Sequence, residues 1–278
     1  MGTIAAGLCS SDPASEDRLR YLSITSRGAA GALAIGIAAG VLSGLFGVGG
    51  GIVIVPGLAL LLGMDQRLAH GTSLAAILPI AAAALIGYSL DGHVDWPVAG
   101  SLIAGSVVGA SFGTHWLHRL PTRYLQLGFA LLLVLAAIRL FVSIEPTGPE
   151  VALSLRTVFE LALVGLGSGI LAGLMGVGGG VIMVPVMVIL FGIPDAVAKG
   201  TSLVVILPTA LVGTGRNLAN RNVDLRTGLT VGAVGVVAAF VASRVSVGLE
   251  PRLSQALFAV LLLSTAVQLA IRSFRRND

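Results

Sequence analysis

An all-α polytopic membrane protein is what this sequence predicts: two inverted-topology repeats, with about eight full transmembrane helices plus two short half-membrane segments at glycine breaks. Three observations predict it. Charged residues make up 11% of the chain against 55% hydrophobic, with a mean hydropathy of +0.97, whereas a soluble globular domain carries about 25% charged residues. Apolar stretches of about 20 residues, the length that crosses a hydrocarbon core of about 30 Å, recur along the chain. A glycine-rich motif in the first half returns, without a gap, in the second.

The order of elements follows from these stretches. Uncharged or nearly uncharged runs lie near 28–48, 71–90, 97–117 and 123–143, and again near 156–176, 200–215, 227–247 and 253–271. Between the first two members of each series sits a shorter apolar piece, Ile52 to Gly63 and Val181 to Gly192. A dozen residues rising about 1.5 Å each reach only about 18 Å, so each piece is expected to be a half-membrane helix. The expected division is a polar cytoplasmic tail over 1–27, a first repeat over 28–145, a linker over 146–155, a second repeat over 156–272 and a basic cytoplasmic end over 273–278. The tail has no apolar core long enough for a secretory signal.

The duplication is read directly. Gly44-Leu-Phe-Gly-Val-Gly-Gly-Gly-Ile-Val-Ile-Val-Pro56 aligns on Gly173-Leu-Met-Gly-Val-Gly-Gly-Gly-Val-Ile-Met-Val-Pro185, an offset of 129 residues. In the same register Ala69-His-Gly-Thr-Ser-Leu-Ala-Ala-Ile-Leu-Pro79 falls on Ala198-Lys-Gly-Thr-Ser-Leu-Val-Val-Ile-Leu-Pro208, Val94-Asp95 on Val223-Asp224, and Gly36/Gly40/Gly44 on Gly165/Gly169/Gly173.

Charge orients the halves. With the first tail in the cytoplasm, Arg67, the Arg119/Arg123 loop, the Arg216/Arg221/Arg226 loop and the Arg272/Arg275/Arg276 end share that side. Asp91, Asp95, Glu145 and Glu150 fall opposite, with isolated Arg156, Lys199, Arg244 and Arg252. This positive-inside bias starts the first half inside and the second outside. The net charge of +4 is carried by basic residues scattered between apolar runs, which argues against a nucleic-acid partner. One cysteine, Cys9, excludes an intrachain disulfide and a CxxC metal site.

A Gly-Val-Gly-Gly-Gly run opening a short helix leaves backbone N–H groups unpaired at depth, and non-helical backbone survives there only when buried in protein or lining a cavity. Helix N-termini suit anions. Gly49, Gly50, Gly51, Gly178, Gly179 and Gly180 are therefore the candidate substrate contacts, whereas the four-residue ladders read as helix packing. Thr72, Ser73, Thr201 and Ser202 place hydroxyls at the start of the next helix, where caps and substrate contact are both open. His70, Lys199 and Arg216 are candidate charge groups for attracting an anion or coupling its movement. Glu160, near the start of a span, is either a proton relay or an interfacial carboxylate. His93, His115 and His118 show no ligand spacing with a carboxylate, and no catalytic set is present. No metal, cofactor or enzymatic activity is expected.

The paired Gly-Val-Gly-Gly-Gly-x-x-x-x-Pro motifs, each followed by Gly-Thr-Ser, resemble the sulfite exporter TauE/SafE family of bacterial inner-membrane permeases over nearly the whole chain after residue 28. The resemblance implies a multi-pass secondary transporter, an exporter, of small anions such as sulfite or sulfoacetate. An anion channel and a membrane-embedded enzyme or assembly factor are the alternatives. The partners expected are a small anion and the lipid bilayer, and a homo-oligomer is left open.

Overall fold

The computed structural model describes residues 13–116, 122–142 and 154–275. Among them it contains ten helices and no strand. They are α1 (Pro13–Phe46), α2 (Gly51–Leu61), α3 (Gln66–Ser89), α4 (Trp96–Trp116), α5 (Thr122–Val142), α6 (Leu155–Met175), α7 (Gly180–Phe191), α8 (Asp195–Ala219), α9 (Leu225–Val247) and α10 (Pro251–Arg275). Among the described residues six of these, α1, α3, α4, α6, α8 and α9, are long and apolar enough to cross a bilayer. The short α2 and α7 occupy the positions expected of half-membrane pieces and each contains a proline, Pro56 or Pro185. Helix α1 reaches back to Pro13, into the stretch expected to be a tail. His118, Arg119, Glu145, Glu150, Arg276 and most of the 146–155 linker lie outside the described residues, as do the side chains of His115, Arg123, Arg272 and Arg275.

Each helix has an equivalent 129 residues away, and the main contacts of the two halves correspond. Helix α1 packs on α9 as α6 packs on α4. Glycine makes both contacts close. A Cβ at Gly36 would stand 2.6 Å from the Val231 carbonyl, and one at Gly40 or Gly44 would collide with the carbonyl of Gly235 or Ala239. Gly165 and Gly169 meet the Leu102 and Ser106 carbonyls in the same manner. Lipid tails give helices no hydrophobic reward for associating, so close backbone packing of this kind holds such a bundle together.

The contacts also give directions. Residues 36, 40 and 44 meet 231, 235 and 239 in ascending order, so α1 and α9 run parallel; α6 and α4 do likewise. Between the central pair the order is reversed. Gly71 approaches Asn217, Leu74 approaches Gly213, and Tyr88 approaches Gly200, so α3 and α8 are antiparallel although they are equivalents. Three ion pairs occur among the described residues: Arg156 with Glu160 at 2.8 Å, Lys199 with Asp195 at 2.7 Å, and Arg244 with Asp91. The basic residues expected to stand alone opposite the cytoplasmic side are thus largely neutralised by neighbours.

Gly40→Leu should separate α1 from α9 and destabilise the fold by at least about 1–3 kcal/mol, the usual range for overpacking. Gly167→Leu, at an exposed site with open space around it, should be neutral. Thermal unfolding of the two detergent-purified variants checks the contrast.

Candidate functional site

Both glycine breaks are left-handed turns of the same form. Positive φ occurs at Gly47 (66°), Gly49 (79°) and Gly50 (76°), and at Gly176 (68°), Gly178 (85°) and Gly179 (78°). An L side chain in this region costs about 1–2 kcal/mol, which explains the run of glycines. Around the first turn, the Gly47 N–H donates to the Ser43 carbonyl, and the Val53 and Ile54 N–H groups to the Gly50 carbonyl. The N–H groups of Gly49, Gly50, Gly51 and Ile52 find no backbone acceptor among the described residues. The second turn repeats this: Gly176 donates to Ala172, Ile182 and Met183 donate to Gly179, and Gly178, Gly179, Gly180 and Val181 are left over. Neither Gly50 nor Gly179 receives a side-chain cap. Consecutive N–H groups in left-handed turns at helix starts form concavities suited to an anion.

The two turns interlock. A Cβ at Gly51 would lie 2.6 Å from the Val177 Cα, and one at Gly180 would lie 2.7 Å from the Gly47 carbonyl. Ile77 of α3 and Ile206 of α8 both pack over Gly49 and over Gly178. A small apolar pocket beside the second turn is lined by Leu171, Ala172, Val177, Gly179, Val181 and Ile182. The structure thus brings together Gly49, Gly50, Gly51, Gly178, Gly179 and Gly180.

The hydroxyl pairs have a different position from the one expected. Helices α3 and α8 start at Gln66 and Asp195, one turn earlier than the apolar pattern suggests. Asp65 caps α3, its side chain accepting from the Arg67 N–H at 3.2 Å, and Pro194 stands at the N-cap of α8. Thr72, Ser73, Thr201 and Ser202 are therefore buried residues of the second turn and not caps. They bind the opposite half. Ser73 donates to the Gly176 carbonyl at 2.9 Å, and Ser202 to the Gly47 carbonyl at 2.6 Å and to the Lys199 carbonyl at 2.7 Å. Thr72 accepts from the Asp224 N–H and Thr201 from the Asp95 N–H, both at 2.9 Å.

Those contacts give the repeated Val-Asp pair a role that the sequence does not announce. Asp95 accepts from the Val98 N–H at the start of α4, and Asp224 from the Thr227 N–H at the start of α9. Each aspartate thus caps a helix while its own N–H is held by a threonine of the other half. Partial burial pushes the Asp224 carboxyl up, but hydrogen bonds from the Thr227 hydroxyl and N–H and from the Arg226 N–H, with the Arg226 charge, hold it below the usual carboxylate range.

The candidate charge groups are dispersed. The His70 backbone packs against Gly176, and the Lys199 backbone against Gly47, so these equivalents flank opposite turns. Lys199 is fully buried and paired with Asp195. Arg216 is exposed and donates to the Ser111 carbonyl at 2.7 Å, away from both turns. Glu160 is engaged by Arg156 on a helix surface, with its side chain 44% exposed. Two further residues touch the first turn's approach: Tyr88 donates to the Gly44 carbonyl and Ser246 to the Leu45 carbonyl, each at 2.8 Å. No cluster of metal-binding side chains occurs among the described residues.

A family model described as "Sulfite exporter TauE/SafE" matches residues 4–140 and 161–278. The chain is 28% identical over 213 residues to the probable membrane transporter protein YunE of Bacillus subtilis, covering 68% of this chain and 78% of that one. A probable membrane transporter protein of Xylella fastidiosa strain Temecula1 is 28% identical over 242 residues, covering 83% of this chain and 90% of the relative. A third relative, the probable membrane transporter protein YdhB of Bacillus subtilis, is 38% identical over 90 residues, covering 32% of this chain and 37% of its own length.

Ser73→Ala and Ser202→Ala each leave a buried turn carbonyl without its donor and should cost about 1–3 kcal/mol. Ser101→Ala, which removes only an exposed bond to the Pro97 carbonyl, should cost nothing measurable. Thermal midpoints in detergent read the difference.

Proposed function

The chain belongs to the sulfite exporter TauE/SafE family, and from that premise we propose that it is a secondary transporter of small anions, sulfur oxyanions or organosulfonates such as sulfite or sulfoacetate, moved outward across a bacterial inner membrane. Its relatives are named as membrane transporters, and its helices suit a multi-pass membrane protein. The observation that carries the anion reading is the pair of interlocked turns, whose adjacent N–H groups find no backbone acceptor among the described residues on either side of one contact. Aligned N–H groups at a helix start favour negative charge, and in a low-dielectric site they act more strongly than in water.

The substrate contacts in this reading are the N–H groups around Gly49, Gly50 and Gly51 and around Gly178, Gly179 and Gly180. Thr72, Ser73, Thr201 and Ser202 hold the two turns in place and act as their support. Eight full spans would include α5 and α10, of 21 and 25 residues. The halves would be inverted about an axis in the membrane plane, with both chain termini cytoplasmic. Antiparallel packing of the equivalents α3 and α8 supports inversion, because two repeats inserted in the same sense would hold their equivalents parallel. Inverted repeats with discontinuous helices at their interface are the usual architecture of a secondary-transporter site.

The full chain in phospholipid vesicles should take up labelled sulfite, sulfoacetate or thiosulfate with saturable kinetics. Non-saturating flux would mark a channel, and no flux of any of the three would overturn the anion reading. Gly178→Ala separates turn geometry from packing, because its added carbon meets neighbours no nearer than 3.5 Å. It should insert normally yet lose about tenfold or more of its uptake, since the left-handed cost falls on the turn itself. Wild-type uptake by this variant would remove the turn from the site.

A further inference from the structure

The second half carries a buried charged cluster that the first half lacks. Asp195 and Lys199 are paired at 2.7 Å across one turn of α8, their side chains 7% and 0% exposed. The equivalent residues in the first half are Gln66 and His70. The Ser254 hydroxyl of α10 donates to Asp195 Oδ2 at 2.9 Å. The Lys199 ammonium donates to Ser254 and, at 3.3 Å, to Ser246 of α9, and it lies 5.8 Å from the centre of the Phe46 ring. Ser246 in turn donates to the Leu45 carbonyl. The cluster therefore bears on the last turn of α1, and the Lys199 backbone abuts Gly47, where the first glycine turn begins.

One atom of this cluster is unmatched. Asp195 Oδ1 is buried and has no hydrogen-bond partner among the described residues, although Oδ2 has two. A carboxylate oxygen withdrawn from water without a donor is costly, and ionisable groups at membrane depth mark ion and proton paths. We propose that Asp195 Oδ1 is the site at which a proton joins the transport cycle, one proton accompanying each anion; this rests on the anion-transport reading above.

In the step, Oδ1 takes a proton from hydronium, an O–H bond forms, water is released, and the carboxylate becomes a neutral acid. Lys199 loses its counter-charge. The cluster then holds one net positive charge by the Phe46 ring at the end of α1, which an anion at the turns compensates. Loss of the proton on the other side restores the ion pair and favours release of the anion.

Two buried atoms able to take a proton lack a partner in this region among the described residues, Asp195 Oδ1 within the cluster and Nδ1 of His93 on the loop before α4; the variants below separate them. On α8 Asp195 faces Lys199; α9 and α10 present the hydroxyls of Ser246 and Ser254, and α1 the Phe46 ring. From α3, Tyr88 is engaged by the Gly44 carbonyl. The loop before α4 brings the backbone carbonyl of His93 against Gly200. Arg244 is paired with Asp91, and Glu250 and Arg252 are exposed.

The test uses the full chain in vesicles loaded with a pH-sensitive dye, with thiosulfate, which stays fully ionised near neutrality. Wild-type influx should acidify the lumen and accelerate as external pH falls. Asp195→Asn should lose the acidification, and any remaining influx should be insensitive to pH. Asp91→Asn, in the exposed pair, should behave as wild type. Thiosulfate influx without acidification in the wild type, or acidification retained by Asp195→Asn, overturns the proton site while leaving anion transport standing. If the wild type moves neither thiosulfate, sulfite nor sulfoacetate, the transport reading itself fails. Where Asp195→Asn does not fold because Lys199 is left unpaired, the charge-neutral double variant Asp195→Asn/Lys199→Gln should carry thiosulfate without acidifying the lumen, and acidification by it overturns the proton site.

Discussion

Backbone N–H groups buried at depth must find an acceptor, and this chain twice places a row of them where the described backbone supplies none. Each row begins in a glycine turn that only positive φ permits and ends in a short, proline-containing helix. Hydrocarbon would leave each such amide several kcal/mol out of balance. The remaining architecture can be understood as the enclosure this requires: long helices packed through glycine ladders keep lipid away, and each turn is pressed against the other.

The enclosure is reciprocal. Ser73 ties the second turn and Ser202 the first; Thr72 holds the loop before α9 and Thr201 the loop before α4. Each half thereby completes the other's irregular backbone, and neither turn is fully supported by its own repeat. Against that symmetric frame the charges are unequal. The Asp195–Lys199 pair lies by the end of α1, and the equivalent place beside the second turn is occupied by His70.

Much of this was legible in the sequence because the repeat preserves it letter by letter. The two breaks, the short helices, and the separation of ladder glycines from turn glycines follow from spacing alone, since four-residue steps share a helix face and consecutive glycines do not. The fine placement of Thr72 and Thr201 was not legible. Polar residues such as Asp65, Gln66, Asp195 and Lys199 begin α3 and α8 ahead of the apolar run, so hydropathy places the helix start one turn late. The Val-Asp pairs marked the register but not their bond to the opposite half, because a contact across more than 100 residues leaves no local pattern. Lys199 reads as an isolated cation and a candidate charge group until the fold brings Asp195, Ser246 and Ser254 to it.

Amide hydrogen exchange at the two turns tests the central claim most directly. If the rows of N–H groups receive the anion, saturating sulfite or sulfoacetate should slow exchange in peptides covering both Gly49–Ile52 and Gly178–Val181, and do so less in Gly178→Ala. Exchange unchanged at both turns, with protection confined to other segments, would contradict the account.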